Sequence, residues 1–421
     1  MDLMVSVVTT SRKTVGFIFL LLCFTTPLQA ASRTDTEKMF HTWLQKDLWP
    51  DAKSKGVAKS TFGQALSGIN LNWDLPDLVP PGTKPPTKRK QSQAEFRSPG
   101  AYFNQKRLQR LADYGSGLSK KWSNTLARIE KRYGVPGRII VAIWGKETSY
   151  GRAKLTNSAL RVLATKAFMS TRKDLFRREL LAALQILQKG YIKKGAMRSS
   201  WAGAMGQPQF MPSVYLKYAV DFDGDGRKDI WNSVPDALAS IANYLAKSGW
   251  QQGRDWGYEA SMSSQVFCGQ EGPDRARAIS EWVAQGIGRI NGKSFPGNEL
   301  QAKGMMLVPA GIYGPKFIVT PNFYVLKEYN NSDLYALYIG NLADRMAYGS
   351  GPFKGQWGAV GGLLRSDVAK MQRRLEQEGY DVGGADGLPG YKTRRSIGEW
   401  QRKKGIKASC FPTSGLVSKL R

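Results

Sequence analysis

The sequence predicts a mainly α-helical protein, one large domain with a small mixed or β insertion, followed by a small helical module. Three observations carry this. Apolar residues recur at helical spacing over most of the chain to about Lys247. Between about 250 and 320 glycine becomes frequent and the periodic runs shorten. Gly349, Gly351, Gly355, Gly358, Gly361 and Gly362 then form a linker candidate, ahead of a short block with its own apolar set. The chain has 421 residues, 42% hydrophobic and 23% charged, enough to bury a core in one large and one small domain.

Taken in order, residues 1–30 read as an export signal. Arg12 and Lys13 precede an apolar run from Val15 to Phe24, Pro27 breaks it, and Ala30 and Ala31 offer a small-residue cleavage point. The run is too short to span a bilayer comfortably, and no later stretch is long enough. Cys23 lies inside it, but Leu22 stands where a lipoprotein signal wants a small residue, so a soluble exported protein in the periplasm is expected.

The large domain is placed at 31–350. Phe40, Trp43, Leu44 and Leu48 share one helical face, Pro76 to Lys90 reads as extended loop, and Tyr102 to Tyr133 is helical again. Further on, Phe317-Ile318-Val319 and Phe323-Tyr324-Val325 look like strand or extended loop, and a helix fits Leu334 to Met346. The linker is placed at 351–362 and the final module at 363–421, with Val368, Met371, Leu375, Tyr380, Ile397, Trp400, Ile406, Leu416 and Leu420 inside.

Charge and rare residues narrow the chemistry. Lys and Arg number 62 against 33 Asp and Glu, a formal net charge of +29, which attracts nucleic acid, an anionic membrane or an anionic wall polymer. The signal and the lack of a basic motif interleaved with aromatics argue against nucleic acid. His41 is the only histidine, so zinc hydrolysis and His-based nucleophilic catalysis are disfavoured. Bond cleavage must rest mainly on carboxylates, Lys or Tyr. Cys268 and Cys410 are read as two isolated thiols in different domains, although export would allow them to pair.

Three segments carry candidate chemistry. From Pro136 to Gly151 the chain reads as a buried helix ending in Trp144-Gly145-Lys146-Glu147-Thr148-Ser149-Tyr150-Gly151. Near a helix C-terminus and beside Trp144, the Glu147 carboxyl is disfavoured as an anion, as a general acid requires. Alternatively Glu147 points to solvent or pairs with Lys146 or Arg152. The second segment, Ser200-Trp201-Ala202-Gly203-Ala204-Met205-Gly206-Gln207-Pro208-Gln209-Phe210-Met211-Pro212, mixes small residues with amides suited to sugar hydroxyls, or is a tight helix contact with no ligand. The third places Asp221, Asp223, Asp225, Gly226, Arg227 and Asp229 in the pattern of an EF-hand loop, with Asn232 where the last ligand belongs and Asp236 four residues beyond. Calcium, in a structural role, is expected there. An acidic turn balanced by Arg227 and Lys228 is the alternative, and Asp236 is also placed to complete a capping box with Ser233.

In this order, with Ala242-Asn243-Tyr244 after them, these motifs resemble the lytic murein transglycosylases of the membrane-bound B type, from about Phe40 to Tyr348. The final block, with Val368-Ala369-Lys370-Met371-Gln372-Arg373-Arg374-Leu375 and Asp386-Gly387-Leu388-Pro389-Gly390, resembles a three-helix peptidoglycan-binding domain. The resemblance implies a lysozyme-like catalytic core with Glu147 as the single acid/base. It further implies Ser200, Gln209, Tyr244, Tyr329 and Asn330 along a saccharide cleft, and calcium held by Asp221, Asp223, Asp225, Arg227 and Asp236. Peptidoglycan glycan strands are then the partner, cleaved between N-acetylmuramic acid and N-acetylglucosamine with 1,6-anhydro ends. The enzyme is expected to be a monomer without an organic cofactor. A wall-binding protein that has lost catalysis and a hydrolytic muramidase are the competing readings.

Overall fold

A computed structural model describes residues 32–85 and 99–420. The expected export signal and the end of the Pro76–Lys90 loop lie outside the described residues. Among those described, no helix is long and apolar enough to cross a membrane.

Helices dominate, and they enclose two neighbouring cores. One gathers the helices Gly137–Thr148, Val234–Lys247 and Asp333–Tyr348 around Ile139, Ile140, Leu238, Ile241, Leu337 and Leu342. The other packs the N-terminal helices, through Phe40, Leu48 and Phe62, against the helices Ala159–Met169 and Lys173–Gln188. Tyr244 and Tyr329 touch both cores, so they mark the seam between the two lobes.

The Gly137–Thr148 helix starts after Pro136, whose fixed φ and missing N–H suit a helix entrance. It ends where Ser149 and Tyr150 turn left-handed, at φ of 49° and 65°, a conformation L-residues rarely hold without tertiary support. That support is visible: Tyr150 is buried, and its hydroxyl donates to the Leu111 carbonyl at 2.6 Å.

A two-stranded ribbon, β1 (Asn157–Ser158) with β2 (Arg198–Ser199), precedes a five-stranded antiparallel sheet. The sheet consists of β3 (Gly257–Ser261), β4 (Arg277–Ala278), β5 (Gly288–Arg289), β6 (Lys303–Leu307) and β7 (Lys316–Val319), in the order β4-β6-β7-β3-β5. It is the expected insertion. Side chains alternate across it as the pleat demands. Met305, Leu307, Phe317 and Val319 face the main core, while Met306 and Ile318 face a third cluster with Tyr258, Trp282 and Phe295.

The final module holds the helices Arg365–Gln377, Tyr391–Lys403 and Ser414–Lys419. Its core is Val368, Met371, Leu375, Ile397, Trp400, Leu416 and Leu420, with Tyr380 packed against it and Ile406 exposed.

Three expectations change. Phe323–Val325 is not strand but the middle of the helix Pro321–Tyr329, because Thr320 caps it through Asn322 N–H and Pro321 occupies its first turn. Cys268 and Cys410 are not isolated thiols. They form a disulfide, with Cα atoms 6.1 Å apart, that ties the module to the sheet region. The glycine-rich segment is no free tether either: Trp357 stacks on Phe103 with ring centroids 5.2 Å apart, and Gly355 N–H donates to Glu259 Oε1 at 2.7 Å.

Candidate active site

Glu147 occupies the last turn of the Gly137–Thr148 helix, half-buried. Its Oε1 accepts a 2.6 Å hydrogen bond from Tyr335 Oη, which reaches it from the Asp333–Tyr348 helix. Burial raises the carboxyl above its ordinary pKa; the Tyr335 hydrogen bond and the nearby Lys146 charge work in the opposite direction. Neither basic neighbour in sequence is directed at the carboxylate alone. Lys146 Nζ sits over the Tyr338 and Tyr102 rings, at 4.3 and 4.5 Å, and Arg152 lies over Tyr114.

An aromatic row extends from this point along the seam. Tyr335 and Tyr329 are nearly parallel, at 9° and 6.4 Å between centroids. Tyr244 meets Tyr329 edge-on at 5.1 Å, and Tyr218 meets Tyr244 at 4.8 Å. The hydroxyls fix the row: Tyr329 donates to the Pro208 carbonyl at 2.7 Å and Tyr244 to that of Glu328 at 2.6 Å. Asn330 ends the Pro321–Tyr329 helix and is exposed.

The small-residue segment forms the adjoining wall. Gly206 is left-handed (φ 62°), and a Cβ there would lie 2.7 Å from the Ile230 carbonyl, so only glycine permits this approach. Gln209 shares the left-handed conformation (φ 56°), and its Nε2 donates to the Gly206 carbonyl at 2.9 Å. Ser200 Oγ caps the same turn, facing the N–H groups of Ala202 and Ala204. Gln207 straps the wall to the Glu147 helix. Its Oε1 accepts from Trp144 Nε1 at 2.7 Å, and its carbonyl accepts from Thr148 Oγ1 at 2.9 Å.

The acidic loop divides into two groups. Carboxylate oxygens of Asp221, Asp223 and Asp236 converge within 4.8 Å of one another. Asp225 and Arg227 pair with each other at 2.7 Å, outside that cluster. Asp236 is fully buried and also accepts from the N–H groups of Phe222 and Asp229. Ser233 caps the Val234–Lys247 helix through Asp236 N–H, so the loop anchors the helix that carries Tyr244. Three hard oxygen donors at such spacing fit a calcium-sized cation.

The structure thus brings Tyr244 and Tyr329 together in one seam and places Tyr335 between Tyr329 and Glu147. Sequence reasoning missed Tyr335 and Gln207. Tyr335 is the third residue of an apolar helix and reads as core, and its partner is 188 positions away. Gln207 lies in the small-residue segment two residues before Gln209, and no local pattern distinguishes one amide from the other.

A prediction follows from the Tyr335 contact. Its hydrogen bond favours the ionised carboxylate, so Tyr335→Phe should push the Glu147 pKa further up. The alkaline limb of the kcat/KM profile should then move to higher pH. An unmoved limb, with lower activity at every pH, would assign Tyr335 a packing role instead.

Residues 39–344 match the family described as the transglycosylase SLT domain, and residues 365–414 match a peptidoglycan binding domain. The chain is 34% identical over 228 residues to the membrane-bound lytic murein transglycosylase B of Escherichia coli (strain K12), a match covering 54% of this chain and 61% of that relative. Among solved structures it is similar to SltB3 from Pseudomonas aeruginosa in complex with NAG-NAM-pentapeptide, at 36% identity and a TM-score of 0.80. That similarity covers 91% of this chain and 99% of SltB3. It is also similar to the Escherichia coli lytic transglycosylase Slt35 in complex with calcium, at 31% identity and a TM-score of 0.50 over 59% of this chain and 79% of that one. The family match spans well over half of the chain, and the chain belongs to the transglycosylases of the SLT-domain family.

Proposed function

We propose that this chain is a periplasmic lytic transglycosylase that cleaves the β-1,4 bond between N-acetylmuramic acid and N-acetylglucosamine, leaving 1,6-anhydro-muramoyl ends. The observation that carries this reading is the partly buried Glu147 with its Tyr335 partner. Burial raises its carboxyl, as a general acid requires, and Tyr335 holds it at the end of the aromatic seam.

Glu147 in its neutral form protonates the glycosidic oxygen, and the bond to the anomeric carbon breaks as the N-acetylglucosamine side leaves. The muramoyl acetamido group stabilises the anomeric centre. The carboxylate so formed takes the proton of the muramoyl 6-hydroxyl, whose oxygen closes on the anomeric carbon. The proton balance closes without water, and the intramolecular attack gains from proximity. Ser200, Gln209, Tyr244, Tyr329 and Asn330 orient the strand along the seam. The net charge of +29 and the final module favour retention on an anionic wall.

Asp221, Asp223 and Asp236 would hold calcium, which supplies positive charge to three clustered carboxylates and fixes the entrance of the Tyr244 helix. The convergence of their oxygens and the calcium complex of Slt35 support this. Calcium at about 100 times its Kd should then stabilise the fold by about 2.7 kcal/mol. A thermal-shift titration is expected to show the rise in Tm for the wild type and none for Asp223→Ala.

Mass spectrometry of digested sacculi tests the reaction. Products about 18 Da lighter than hydrolytic muropeptides, one water per cleavage, are expected. Hydrated reducing ends would make the protein a muramidase, and no soluble product would make it a wall-binding protein.

A further inference from the structure

Away from Glu147, two adjoining cavities of about 750 and 320 Å³ open at the other end of the Gly137–Thr148 helix. They share Asp255, Tyr258 and Tyr348 in their linings, so they adjoin along one grooved surface. Arg138, in its lining, stands nine residues before Glu147, about 14 Å along the helix at 1.5 Å per residue. The combined size is that of a ligand site, not of a single ion.

The side chains define the chemistry. Arg138 bridges Asp255 at 2.9 Å and Asp344 at 2.8 Å, and Arg254 holds Glu299 Oε2. Two guanidinium groups face three carboxylates, so most of the charge is paired and the groove does not select a strong anion. Glu299 Oε1 lacks a hydrogen-bond partner although the side chain, which lines the cavity, is 1% exposed. That oxygen has almost no solvent-exposed area, so it is a cost of the ion network and not a contact for a ligand. Gln252, Asn298 and Asn291 add amides that both donate and accept. On the shared wall, Tyr348 is 67% exposed. The Arg138 guanidinium lies over its ring, 5.3 Å from the centroid.

Planar amide donors and acceptors beside an exposed aromatic side chain, in adjoining cavities of this size, match a sugar polymer. We propose that this groove is a second, non-catalytic glycan-binding site that holds an N-acetylhexosamine strand apart from the Glu147 seam. The identity of the sugar rests on the function proposed above. The site would keep the enzyme on its polymer between cleavages, while Tyr348 and Asn298 take no part in the chemistry.

The test uses the full-length protein with Glu147→Gln, so that ligand is bound without turnover, and tetra-N-acetylchitotetraose as the probe. Calorimetric titration is expected to show a class of site besides those of the Glu147 seam and the final module. Adding Tyr348→Ala or Asn298→Ala, both at exposed positions, should weaken one class by roughly fivefold or more, the loss from removing one well-placed contact. With Glu147 intact, either substitution should leave turnover of a short soluble muropeptide unchanged and slow only that of polymeric glycan. Titration curves indifferent to both substitutions would overturn the proposal. So would a groove that takes a lysine-bearing peptide and no chitotetraose. Failure of the parent reading would show separately, as wild-type digests without anhydro ends.

Discussion

Glu147→Gln is expected to lower release of soluble muropeptides from sacculi by about 10²–10⁴-fold, the usual contribution of a positioned general acid–base. Glutamine keeps the shape of the side chain and an oxygen for the Tyr335 hydroxyl, so the seam should keep its geometry. It has no acidic proton to give and accepts none, so both halves of the reaction fail together. The wild-type pH profile follows from the same environment. Burial raises the Glu147 pKa, so the neutral acid persists above the ordinary glutamate range, and the first step weakens as pH rises through the elevated value. Stability carries the same sign. A carboxyl with a raised folded-state pKa contributes fully below its unfolded pKa, and that contribution is lost as pH rises through the folded value. Glutamine does not titrate. The Tm of Glu147→Gln relative to wild type should therefore be lowest in acid and increase as pH rises through that window. A variant retaining full turnover would remove Glu147 from the mechanism, and a Tm difference independent of pH would mean that its carboxyl is not raised.

The fold was legible where local pattern and tertiary packing agree. Pro136 marked the entrance of the Glu147 helix, and the apolar residues of the final block became its core, except for Ile406 at the surface. Legibility failed where local preference and tertiary context diverge. Phe323-Tyr324-Val325 has the composition of a strand, yet Thr320 and Pro321 just before it are helix-start signals that outweigh three residues of propensity. The site divides along the same line. Glu147, Gln209 and the aspartates sit in short motifs. Tyr335 has no motif and acquires its role only because two helices bring it to Glu147. The pairing of Cys268 with Cys410 was hidden for a similar reason. It depends on the final module docking against the sheet region, across 142 residues.

That docking rests on a buried ion cluster, and breaking it is expected to have the largest effect on stability. Arg394, 3% exposed, reaches from the Tyr391–Lys403 helix to Glu271 at 2.6 Å and to Asp333 at 2.8 Å. Glu271 is fully buried and also accepts from Val308 N–H at 2.9 Å, beside the sheet. Asp333 opens the helix that carries Tyr335, so the module and the Glu147 seam share one electrostatic joint. Burial by itself would raise the Asp333 pKa, but the Lys327 and Arg394 charges prevail and hold it well below the ordinary range. Arg394→Met removes the cation and strands a buried carboxylate, which should cost about 3–5 kcal/mol. Replacing the ion pair as a whole, with Arg394→Met and Glu271→Leu together, should restore much of that loss, because no buried charge at Glu271 remains unmatched. The pH dependence separates this account from simple loss of packing. A depressed carboxylate contributes stability above its unfolded pKa, and that contribution is lost as pH falls through the folded value. Wild type should therefore outlast Arg394→Met most clearly at neutral pH, with the gap in Tm closing in acid. A constant gap would mean that Arg394 acts through its bulk and not through its charge.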